Sequence, residues 1–160
     1  MGRMTSATVL AVAAAVLAFA SAAVSVYWTL GGTALLDTVG GAIEELARTR
    51  TAAGIALVMG AVAAKVIAGL LALTLVRASV RRWWVAALNG AASVALVLWG
   101  GGNVVLGGLV LTGAIVPSTP VDEHALRWHV AVWDLWFLVW GVCLGLAVLL
   151  YRRPREPVMT

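Results

Sequence analysis

Four long apolar runs, at about 5–30, 51–76, 83–116 and 129–151, take up most of the 160 residues, and three polar interruptions separate them. Each run reaches or exceeds the roughly 20 apolar residues that carry an α-helix across about 30 Å of hydrocarbon. Lipid offers no partner to an exposed strand edge, so the pattern predicts an all-α fold. The expected architecture is a four-helix transmembrane bundle in which residues 1–160 form one integral membrane domain. The first run follows a short head with Arg3 and contains Ala18-Phe19-Ala20, a triplet of the kind cleaved after secretory signals. Its length, well beyond a signal core, predicts a retained span. The third run is long enough to tilt, or to hold an irregular glycine-rich segment. The first connector, GGTALLDTVGGAIEELARTR at 31–50, suits a short interfacial helix or a cap over the bundle. In the last, PSTPVDEHALRW at 117–128, two prolines stop the preceding helix.

Composition agrees with this reading. Hydrophobic residues make up 62% of the chain and charged residues 11%, against roughly 25% charged in soluble domains. The net charge of +4 does not indicate nucleic acid, because the basic residues sit mostly at the ends of the runs. Arg3, then Arg77, Arg81 and Arg82, then Arg152, Arg153 and Arg155 fall on one side. The other side holds Arg48, Arg50 and Arg127, with Asp37, Glu44, Glu45, Asp122 and Glu123. The positive-inside rule then places both termini in the cytoplasm and the two longer connectors outside. Ten of the eleven basic residues are arginine, and alanine, glycine and valine dominate. That bias indicates a GC-rich bacterial genome, and with it the bacterial inner membrane. Cys143, the single cysteine, cannot form an intrachain disulfide.

Asp134 and Lys65 are the two permanent charges well inside the apolar runs. Either type costs about 2.5 to 3.5 kcal/mol at a helix centre by insertion scales, so each is expected to face protein or water. Lys65 shares a helical face with Val58, Ala61, Val62, Ala68, Gly69 and Ala72, a mostly small surface suited to close packing. The backbones of Asp134 and Lys65 differ in depth by roughly 7 to 9 Å at 1.5 Å per residue, a gap that a lysine stem largely covers. A buried structural ion pair and a ligand- or proton-handling site are both open.

Asn103, after three glycines, falls near the depth of Asp134, either as polar glue between helices or as a site residue. His129, Trp133, Trp136 and Trp140 recur on one helical stripe, and Asp134, Phe137, Gly141 and Gly145 on the next. Trp128 and Trp133 suit an interfacial belt, whereas Trp136 and Trp140 lie deeper and face the bundle or a pocket. His124 and His129 are five apart rather than four, and no further ligands complete a metal site. Haem ligation by His129 would need a second axial ligand that the sequence does not identify. No metal or cofactor is expected. There is also no nucleophile elbow, P-loop or dinucleotide fingerprint, which leans against an enzyme.

Tyr27-Trp28-x-x-Gly31-Gly32 and Trp133-Asp134-x-Trp136-Phe137-x-x-Trp140-Gly141 resemble motifs of an uncharacterised family of four-span bacterial membrane proteins. The family is common in actinobacteria and is catalogued as a domain of unknown function. A histidine that often precedes the first motif there is replaced here by Ser25-Val26. The resemblance implies that both motifs meet at one membrane side, so that Trp28, Asp134 and Asn103 line one pocket. The expected function is binding of a small hydrophobic or amphipathic ligand, or of a partner's membrane helix, around Asp134. Lys65, Asn103, Trp28, Trp136, Trp140 and His129 complete the candidate site. A proton- or cation-coupled transporter using Asp134 and Lys65, and an accessory subunit of a membrane enzyme or redox complex, are the alternatives. Glycine and alanine faces also allow a homo-oligomer.

Overall fold

The computed structural model describes residues 5–76 and 82–152. Arg3, Arg77, Arg81, Arg153 and Arg155, on which the expected orientation largely rests, lie outside the described residues. Among the described residues the structure is helical with no strand. The principal helices are α1 (Ser6–Thr29), α2 (Gly41–Thr49), α3 (Ala52–Thr74), α4 (Trp83–Leu111), α5 (Glu123–Trp128) and α6 (Asp134–Arg152). A π-helical turn, His129–Trp133, joins α5 to α6 without a break. Four stretches are long and apolar enough to cross a membrane: α1, α3, α4 and the continuous Glu123–Arg152.

Local chemistry sets the ends. Thr5 caps α1 by accepting the Thr8 N–H, and Thr51 caps α3 by accepting the Gly54 N–H at 3.1 Å. Asp122 does the same for α5 through the N–H groups of His124 and Ala125. α4 stops at Leu111, before the expected Val116, because Gly113 takes a left-handed conformation (φ +74°) just after it. The glycine ends the helix before the prolines are reached.

α4 packs most extensively on α6, α6 on α1, and α1 on α3. α3 and α4 close this ring only weakly. The inward face of α1 is a row of Ala11, Ala14, Ala15, Ala18 and Ala22, which lets its neighbours approach closely. On the far side of α6, a Cβ at Gly100 would lie 2.5 Å from the backbone of Asp134 and Leu138, and one at Gly141 2.9 Å from Val97. Ser93 reinforces this crossing by donating to the Gly141 carbonyl at 2.8 Å.

The apolar core occupies the half of the bundle remote from the connectors. It joins the first half of α1 to Ala72 and Leu75, Val85 and Ala86, and Trp140 to Tyr151 of α6. There Asn89, fully buried, donates to the Leu71 and Val85 carbonyls at 3.2 and 3.0 Å and ties α3 to α4. Toward the connectors α3 and α4 diverge.

Candidate functional site

The connector between α1 and α3 folds back over the bundle and is fastened from below. Gly31 turns the chain at φ +102°, and Gly32 lies so close to the Tyr27 ring that a Cβ would overlap it, 2.2 Å from Cζ. The Trp28 indole N–H donates to the Ala34 carbonyl at 2.9 Å, and Trp133 donates to Thr38 Oγ1 at 3.1 Å. His129 Nε2 lies 2.8 Å from the Val39 carbonyl. Trp28 and Trp133 meet edge to face, centroids 5.4 Å apart. Trp133 is thus a strut between α6 and the connector rather than a lipid-facing anchor. Within the connector, α2 turns Ile43, Leu46 and Ala47, spaced i, i+3 and i+4, toward the space beneath it.

The π turn determines what meets Asp134. In an α-helix residues five apart point about 140° away from each other. Here the Asp134 N–H reaches back to the His129 carbonyl, and the extra residue in the turn brings the two side chains to one face. His129 therefore leaves the tryptophan stripe on which regular periodicity places it. Its Nδ1 lies 3.2 Å from Asp134 Oδ2, while Asn103 donates to Asp134 Oδ1 at 3.4 Å. Because the Val39 carbonyl can only accept, Nε2 carries a hydrogen. One further hydrogen lies between Nδ1 and Oδ2, on the ring as an imidazolium or on the carboxyl group. Asp134, 6% exposed, thus links His129 to Asn103 in a chain that runs from the Val39 backbone to α4.

Lys65 and Asp134 do not pair. Lys65 Nζ donates to Ser25 Oγ at 2.8 Å and to the Ser21 carbonyl at 3.4 Å, and it stands 5.9 Å from the centre of the Phe137 ring. A depth gap that a lysine stem can cover does not bring two side chains together when their helices, α3 and α6, sit on either side of α1. The signal in the sequence for its partners is the Ser25 hydroxyl, since any residue at 21 presents the same carbonyl. Trp136 faces inward and donates to the Leu17 carbonyl at 3.1 Å, tying α6 to α1. Trp140, by contrast, is buried in the core half with Leu144 and does not reach the site.

Where α3 and α4 diverge they leave a cavity of about 1210 Å3. Its walls are mostly apolar, from Val58 and Ala61 of α3 to Leu106 and Val110 of α4. Trp28, Lys65, Asn103, His129, Asp134 and Trp136 all border it, so six of the seven expected site residues surround one space. Arg50, which sequence reasoning assigned only to the orientation count, stands at its rim and donates to the Thr29 carbonyl at 3.1 Å. Among the described residues no group of three or more His, Cys, Asp or Glu side chains converges to hold a metal ion.

Fold and site together define a class: a four-helix bundle, able by length and composition to cross a membrane, closed in one half and hollow in the other. The chain belongs to the family described as protein of unknown function, DUF3995, which it matches over residues 18–144. That range contains both aromatic-glycine motifs, the connector they fasten and the cavity residues. No curated protein and no solved structure matches it.

Proposed function

We propose that this protein binds an amphipathic molecule in the cavity beneath the connector, admitting it sideways from the bilayer between α3 and α4. The observation that carries this reading is the cavity itself, apolar in most of its wall and bordered by a few fixed polar groups. Sites for small molecules commonly have this makeup at about 300 to 1,000 Å3, and this one is somewhat larger. The weak contact between α3 and α4 supports lateral entry, since a tail can then remain in lipid while a headgroup enters. In this reading the protein lies in the bacterial inner membrane, connectors outside and termini in the cytoplasm, as the basic residues suggest.

The test is to purify the protein in mild detergent and identify bound amphiphiles by mass spectrometry of the extract. Ala61 lines the cavity one helical turn from Lys65, so Ala61→Trp obstructs the space beside the ammonium. The expected result is a defined amphiphile in stoichiometric amount that Ala61→Trp excludes without loss of helicity. Equal recovery from both proteins would refute the reading.

The hydrogen held between His129 and Asp134 favours proton-coupled transport as a second reading. That reading expects a pH-dependent flux in proteoliposomes that disappears in Asp134→Asn, and an unchanged flux would sink it.

A further inference from the structure

A tail that moves from bilayer to cavity exchanges one apolar environment for another, so its burial gives little selectivity. Selection therefore falls to the polar groups of the wall. Resting on the amphiphile reading above, we propose that the ligand is anionic, with an acidic headgroup, a carboxylate or a phosphate ester, held by Lys65 Nζ.

The charge arrangement carries the proposal. Lys65 lies within a candidate membrane span, where a cation is expected to meet an anion, a dipole or water. Its partners, Ser25 Oγ, the Ser21 carbonyl and the Phe137 ring, are all neutral. No carboxylate among the described residues lies within ion-pairing distance of it. An ammonium has three N–H donors, and two have partners here. The third is available to the cavity that Lys65 borders. Asp134, the one carboxylate on the cavity wall, is engaged by His129 and Asn103. Either placement of the shared hydrogen leaves the His129–Asp134 pair neutral overall. Arg50 adds a second cation at the rim, where it donates to the neutral Thr29 carbonyl. The wall is thus net positive around an apolar space, which is complementary to an anionic head on a hydrocarbon tail.

Tryptophan quenching reads this out, because Trp28, Trp99, Trp133 and Trp136 border the cavity and bromine quenches indoles at short range. The full chain in phosphatidylcholine nanodiscs is titrated at mildly alkaline pH with dibromostearate and with the alcohol and amine of the same brominated chain. The acid is expected to bind at least about tenfold more tightly than either, as suits a hydrogen bond to a charged group. Lys65→Met should abolish that preference, and Lys65→Arg should keep it. Equal affinity for acid and alcohol in the unaltered protein overturns the anionic headgroup and leaves the cavity reading standing. So does a preference that survives in Lys65→Met. Absence of saturable quenching by all three probes overturns both. The headgroup comparison needs no variant, so it decides the question even if Lys65→Met fails to fold.

Discussion

A carboxyl group holds its place at Asp134 because both its oxygens are engaged, Oδ2 with His129 and Oδ1 with Asn103. The form in which the shared hydrogen sits on the carboxyl group is isosteric with a carboxamide. Asp134→Asn can present its oxygen to Asn103 and an N–H to His129 Nδ1, so it is expected to fold with nearly unchanged stability. Asp134→Ala leaves both neighbours unpaired and should lose about 1 to 3 kcal/mol, measured by reversible unfolding in mixed micelles. Because Lys65 and Asp134 share no hydrogen-bond partner, Lys65→Met and Asp134→Ala should add within about 0.5 kcal/mol. A double variant that regains stability would show a coupling that the geometry does not provide. Of these residues, Asn103 beside Asp134 was legible, since their depths match on adjoining helices. Lys65 was misplaced because depth is read from sequence position, whereas the direction of a side chain around the bundle depends on which helices are neighbours.

At the scale of elements, the α4–α6 crossing and the π turn decide the geometry. Gly100 and Gly102 are one helix's glycines in opposite settings: a Cβ at Gly100 meets α6 backbone, and one at Gly102 meets nothing within 4 Å. Backbone cannot yield as a side chain can, so Gly100→Ala should destabilise the bundle by about 1 to 3 kcal/mol. Gly102→Ala should be neutral or stabilising by up to about 1 kcal/mol through helix propensity alone. Unfolding both variants under the same conditions checks the contrast, and equal losses would contradict the crossing. The membrane-length helices were legible because apolar runs of that length have few alternatives. The π turn was not, because HVAVW carries no glycine or proline to mark it. Its stabilising partners, Val39 on the connector and Asn103 on α4, are remote in sequence. One added residue in a turn was enough to move His129 from one stripe to the next.

For the whole molecule, the division into a packed half and a hollow half predicts uneven dynamics. Local opening is least costly where few buried contacts hold a helix. The second half of α3 contributes Ala72 to the core, with Leu75 just beyond it, and accepts Asn89 at Leu71, whereas its first half borders the cavity. Amides at 52–61 should therefore exchange hydrogen faster than those at 66–74, although both segments belong to one uninterrupted helix. An occupant that bridges α3 to α4 supplies the contact the fold omits, so exchange in the first half should slow when the cavity fills. Global stability should rise with it, by about 2.7 kcal/mol at a free ligand concentration one hundred times Kd. Both effects should be weaker in Ala61→Trp, whose side chain takes up part of the space. Exchange measured along α3 in nanodiscs, with and without dibromostearate, checks this. Uniform protection along α3, unaltered by the acid, would mean that the divergence of α3 and α4 is not a binding mouth.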